Sequence, residues 1–161
     1  MRASHFPGCA HMAITVRLLT AADAAPLAPL FGAYLDFYRV TRDPSAEAAF
    51  LKARLSATDS TGFGAFADGE FCGFALCHHT YNSLRLAPAW ILHDLFVAPA
   101  HRGQGVAKAL IEAVHARAAA EGAFEVVLST AHDNTTAQRL YEKEGYRLDT
   151  TFRVYVRDLR P

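Results

Sequence analysis

Between Leu92 and Gly145 the chain alternates strand-like and helix-like patterns, and that order limits the folds open to it. Trp90–Val97 reads as a strand, and the turn Ala98-Pro-Ala-His-Arg-Gly-Gln-Gly-Val-Ala107 leads into a helix running to about Glu121. A second strand, Glu125–Thr130, and a second helix, Asn134–Glu144, follow. Strand, turn, helix, strand, helix is a βαβα unit, which predicts parallel strands and a right-handed crossover.

The turn points to a ligand. Gly103 and Gly105 permit a tight bend and close backbone approach. The helix that opens there presents unpaired N–H groups and a positive dipole end, which suit a phosphate or pyrophosphate. Arg102 adds a planar charged donor. A P-loop is excluded because Lys108 is followed by Ala109 and not by Ser or Thr. A dinucleotide fingerprint fits poorly, because Lys108 stands where a third small residue belongs. The pattern Arg-x-x-Gly-x-Gly/Ala is met by Arg102, Gly105 and Ala107.

That turn, the strand His93–Val97, and Asn134-x-x-Ala137-x-x-x-Tyr141-x-x-x-Gly145-Tyr146 together resemble the coenzyme A site of the GNAT superfamily of N-acetyltransferases. They cover the C-terminal half of the chain. The resemblance implies an α/β fold of the acyl-CoA N-acyltransferase type. Its centre is a mixed, mostly antiparallel sheet of roughly six or seven strands, splayed in the middle and flanked by about four helices. It implies acetyl-CoA as cosubstrate, with no metal. Arg102, Gly103, Gln104, Gly105, Val106, Ala107 and Lys108 would then cradle the pyrophosphate. A bulge would splay the Trp90 strand from Glu125–Thr130, so that the pantetheine arm bonds the exposed backbone along Leu95, Phe96 and Val97. Asn134, beside Ala137, would also bond that arm, and Tyr141 would protonate the leaving thiolate.

The rest of the chain agrees with one globular domain. At 161 residues, with 52% apolar and 20% charged, it can bury a core. A formal charge of +0 predicts no nucleic-acid footprint. No apolar run is long enough to span a membrane. Residues 1–12 lack a signal peptide's apolar stretch and read as a poorly ordered extension, leaving 13–161 as the domain. Three cysteines, Cys9, Cys72 and Cys77, without a secretion signal predict reduced thiols in the cytoplasm. Cys77-His78-His79 matches no zinc spacing, so the reading there is buried thiols and strand-end histidines.

Ile14–Leu19 alternates as a first strand, and Thr20 with Asp23 opens a helix to about Tyr38 despite Pro26 and Pro29. Leu27, Leu30, Phe31, Tyr34, Leu35 and Tyr38 form its apolar stripe. Tyr34, Asp36 and Tyr38 are core or surface residues by pattern; the resemblance implies that this helix borders an acceptor pocket they could line. Asp43-Pro44 starts a second helix to about Ser56, and 58–62 reads as a loop. Asp68-Gly69 predicts a hairpin between Gly64–Ala67 and Glu70–Leu76. Tyr146–Thr151 and Phe152–Leu159 read as a final antiparallel hairpin. The resemblance extends through these strands to diamine- and polyamine-acetylating members and a yeast histone-acetylating branch, and it implies a homodimer.

The chemistry expected is acetyl transfer to a primary amine of a small molecule. A free alkylamine has a pKa of about 10.4, so a base must take a proton from it. Polyamine-type relatives carry Glu where this chain has His93, a competent base that lacks a carboxylate's attraction for a cation. Asp94 supplies a carboxylate if a bulge turns it inward; equally, His93 reads as a strand histidine bonded to a backbone carbonyl. Tyr141 alone would read as an amphipathic core residue. Two other functions stay open: acetylation of a protein lysine or N-terminus, and a non-catalytic acyl-CoA sensor.

Overall fold

The computed structural model describes residues 13–41 and 43–159, so the extension expected at 1–12, with Cys9, lies outside the described residues. The described chain forms two compact units, one reaching Ser129 and one beginning at Thr130.

The first unit is a sheet with helices on both faces. Its elements are β1 (Ile14–Leu18), α1 (Ala24–Phe37), α2 (Pro44–Ser56), β2 (Ser60–Ala67), β3 (Glu70–Asn82), β4 (Ala87–Val97), α3 (Val106–Ala120) and β5 (Val126–Leu128). The strands lie in the order β1-β2-β3-β4-β5. The first three pairings are antiparallel and β4 pairs β5 in parallel, as the βαβ order predicts. The loop expected at 58–62 is shorter than its composition indicates, because β2 begins at Ser60. The strands β3 and β4 likewise run on to Asn82 and back from Ala87.

Local chemistry accounts for the helix ends. Asp43 caps α2, its carboxylate accepting from the Ser45 and Ala46 N–H groups, and Pro44 stands in the first turn, where it loses no helical bond. α1 runs on through Pro29 to Phe37. Its entry is tied down by Asp23, which accepts from the Thr20 N–H at 2.8 Å and pairs with Arg17 at 2.6 Å.

Each face of the sheet has its own core. On one face Leu27, Phe31 and Leu51 of the first two helices pack with Phe74, Leu76 and Phe96. On the other, the α3 stripe Val106, Leu110, Ile111, Val114 and Ala118 is buried as its spacing predicts. Gly73 lets α3 approach: a Cβ there would stand 3.0 Å from Val106 Cγ1 and 3.1 Å from the Phe96 carbonyl oxygen.

The second unit holds α4 (Thr135–Lys143). The final hairpin is not formed, and the described residues contain five strands where six or seven were expected. Leu148, Phe152, Val154, Tyr155 and Val156 are exposed, so the alternating pattern there has no partner to pair with.

The Arg17–Asp23 pair predicts a pH dependence. Arg17's hydrogen bond holds Asp23 well down, at about 2 against an ordinary 3.8, although burial opposes it. The charged pair therefore stabilises the fold above the ordinary value, and the contribution is lost as pH falls toward about 2. Urea midpoints should fall more steeply across that window for the wild type than for Asp23→Asn, and equal slopes would remove this pair as the cause.

Candidate functional site

The site grows from an irregularity in β4. Leu92 pairs with Cys77 and Asp94 with Leu76, so His93 is an extra residue with no opposite number on β3. A bulge of this kind bends the strand and shifts the phase of its side chains. Asp94 thereby stays on the face of Leu76 and Phe74, toward α1, and is buried. His93 also reaches that face, where its ring meets His78 edge-on at 5.3 Å.

These groups form one polar chain in an aromatic setting. The Tyr34 hydroxyl donates to Asp94 Oδ1 at 2.5 Å, and His93 Nδ1 lies 3.5 Å from the same oxygen. Burial first, then the Asp94 bond, pushes the Tyr34 phenol well above its ordinary range, so it stays protonated and donating. Burial and the neighbouring His93 push His78 down, which keeps its ring neutral near pH 7. His93 itself is exposed. Tyr38 packs edge-on against Tyr34 at 5.2 Å. Asp36 is exposed, two residues along α1 from Tyr34.

The same bulge marks where the sheet opens. The parallel ladder to β5 ends at Leu92 opposite Leu128, so Leu95, Phe96 and Val97 extend beyond that pairing while β3 still holds them on the other side. The strand then delivers the chain to the glycine turn. Gly103 and Gly105 adopt φ of 74° and 85°, a region that favours glycine, and Gly105 stands directly before α3. The first α3 backbone bond runs from the Ala109 N–H to the Gly105 carbonyl, so the N–H groups before it project from the helix start.

The turn's side chains are arranged around that start. Arg102 donates from Nε to the Val97 carbonyl at 3.1 Å, and its guanidinium lies 5.6 Å from the Phe96 ring centre and 5.8 Å from that of Phe37. Gln104 donates to the Ala100 carbonyl at 3.0 Å. Val106 is buried beneath the turn, Ala107 is half-buried, and Lys108 pairs with Glu112 one helical turn on.

In the second unit Asn134 caps α4, accepting from the Ala137 N–H at 3.3 Å. Tyr141 lies half-buried two turns along, its ring 5.8 Å from Tyr146.

Two residues here escaped the sequence. Phe37 lies off the α1 stripe, and its exposure at the helix end is what gives it a role beside Arg102. His78 read as a strand-end histidine, and only the pairing of β3 with β4 brings it to His93. The buried cysteines of β3 are unreactive by environment: burial, with Asp94 adding, pushes the Cys77 thiol up to about 12.

The sequence profile of the acetyltransferase (GNAT) family matches residues 27–146. The chain is 40% identical over 139 residues to the uncharacterized N-acetyltransferase YhfO of Bacillus subtilis, covering 86% of this chain and 93% of that one. It is 30% identical over 149 residues to an aminoglycoside N(6')-acetyltransferase type 1 of Stenotrophomonas maltophilia, covering 89% and 92%. A solved structure of a probable acetyltransferase matches with a TM-score of 0.86 at 33% identity, covering 91% of this chain and 99% of that one.

The Tyr34–Asp94 bond yields a stability prediction. Tyr34→Phe removes the donor and leaves a buried carboxylate oxygen short of a partner, which should cost about 1–3 kcal/mol in urea unfolding. An unchanged midpoint would show that the bond contributes nothing net.

Proposed function

The chain belongs to the acetyltransferase (GNAT) family and is an N-acetyltransferase, and we propose that it transfers acetyl from acetyl-CoA directly to a primary amine of a small molecule. The observation that carries this reading is the opening of the sheet at the His93 bulge. It presents a base and its carboxylate on one face, and it leaves β4 unpaired by β5 just before the chain enters the glycine turn.

Each part has a task in that reaction. His93, with Nδ1 toward Asp94, keeps Nε2 for the proton of the attacking amine. Asp94 orients the ring and stabilises it once protonated. The neutral amine forms its bond to the thioester carbon as the carbon–sulfur bond breaks. The carbonyl oxygen, which gains charge, takes a hydrogen bond from backbone N–H near Val97. Tyr141 gives its proton to the departing thiolate. Arg102 and the first-turn N–H groups from Gly105 to Lys108 hold the pyrophosphate, and the Asn134 side-chain amide holds the pantetheine arm beside Ala137. Direct transfer is favoured over an acyl-enzyme because the Cys77 thiol is buried and stays protonated. The aminoglycoside-acetylating relative supports a small-molecule acceptor.

Thiol release from acetyl-CoA against amines, amino acids, aminoglycosides and basic peptides tests the reading. Turnover with small amines supports it, and turnover confined to peptides would move the acceptor to protein. Tyr141→Phe should lower kcat about a hundred-fold or more while acetyl-CoA affinity holds; full activity removes Tyr141 as the acid. His93→Ala should flatten or shift the acidic limb of the pH–rate profile. An unchanged limb passes the base role to Asp94 or to water.

A further inference from the structure

One oxygen of Asp94 serves two donors. The Tyr34 hydroxyl donates to Oδ1 at 2.5 Å, and His93 Nδ1 stands 3.5 Å from the same atom, at the outer limit of a hydrogen bond. The two do not compete equally. The Tyr34 ring packs against Phe31, Phe74 and Phe96, with centres 5.8, 5.7 and 5.9 Å away, on a helix whose Leu27 and Phe31 lie in the core. Burial and the carboxylate push its phenol up, so it remains a donor across the neutral range. His93 comes from the bulge and is exposed, and its Nδ1 takes the share that Tyr34 leaves.

The sharing bears on the base. A carboxylate beside an imidazole favours the protonated ring. A hydroxyl bonded to that carboxylate sets the positive end of its dipole on the same oxygen and offsets part of the pull. A general base must be neutral when the amine arrives and charged once it has taken the proton. Too strong a pull from Asp94 would leave His93 already protonated. The other ionisable groups around the pair are Tyr38 from α1, Cys77 and His78 from β3, Arg54 from α2 and Asp59 just after it, the last two acting on His78 with opposite sign. All of them remain when the Tyr34 hydroxyl is removed, so a difference between those two proteins reports the Asp94 bond.

We propose that Tyr34 is a positioning residue of the reaction: by occupying Asp94 Oδ1 it limits the carboxylate's hold on His93, and so sets the pH at which His93 is free to take the proton of the amine. This rests on the reading of His93 as the base in direct transfer. It gives the Tyr34 hydroxyl a task beyond the fold. The aromatic setting of the ring would accept phenylalanine equally well, and the hydroxyl's partner is the carboxylate beside the base.

Two measurements on the full chain test this, one of them independent of turnover. The first is the NMR titration of the His93 ring without substrate, its signal identified by its loss in His93→Ala. The second is the acidic limb of kcat/KM for thiol release from acetyl-CoA, with the amine of the panel above that turns over fastest. Tyr34→Phe should move both midpoints to higher pH by about half a pH unit or more, because the unshared charge favours the protonated ring. In an Asp94→Asn background the same substitution should move neither. A ring-fluorinated tyrosine at position 34 keeps the ring and donates more strongly, so it should move both to lower pH; it carries the test where Tyr34→Phe does not fold. An NMR midpoint that stays or falls in Tyr34→Phe overturns the role of Tyr34, and leaves His93 as the base where His93→Ala still removes the limb. A shift that persists in Asp94→Asn overturns it too, since the effect would not pass through the carboxylate. An NMR midpoint that moves while the limb stays overturns His93 as the base, and the role of Tyr34 with it. No turnover with any amine overturns direct transfer, and this proposal with it.

Discussion

One extra residue in β4 governs the site. Without the His93 bulge, strand alternation would send His93 and Asp94 to opposite faces of the sheet. With it, the histidine ring and the carboxylate share the α1 face, and the hydrogen-bonding phase of the strand changes at the point where β5 ends. A bulge costs one ladder partner, and that cost is met locally because the displaced side chain finds His78 and Asp94. The same bend leaves strand backbone beyond Leu92 unpaired on the β5 side, a place for an extended ligand arm to add its own hydrogen bonds.

A carboxylate placed there is expensive. Asp94 lies among Phe74, Leu76 and Phe96, and a buried polar group with no partner would destabilise the fold. Tyr34 is the compensation. It comes from α1, whose Leu27 and Phe31 are locked into the core, so the phenol is delivered to Asp94 by a rigid element. Core packing and the polar chain are therefore linked through one helix: its buried stripe fixes its position, and its last turn brings Tyr34 to Asp94.

Much of this was legible in the sequence, and the failures share a cause. The glycine turn, the α3 stripe and the Asp43 and Asn134 caps depend on neighbours within a few residues, and local chemistry specifies them. The bulge was expected only through family resemblance, because nothing in Trp90–Val97 breaks its period. His78 and Phe37 gain their meaning from long-range pairing and from what stands beside a helix end. The C-terminal hairpin failed the other way: 146–159 has the alternation of strands, yet a strand is a property of two segments, and no ladder forms there.

Arg102 adds a constraint between the two ends of the site. Its Nε is committed to the Val97 carbonyl and its planar face to Phe37 and Phe96, so under the proposed function the guanidinium edge is what remains to meet a phosphate. Phe37 belongs to the helix that carries Tyr34, and Val97 to the strand that carries Asp94. A displacement of α1 therefore moves the partner of Asp94 and the packing of Arg102 together. Under the proposed direct transfer, that shared support would hold acceptor and donor against the same two elements, α1 and β4.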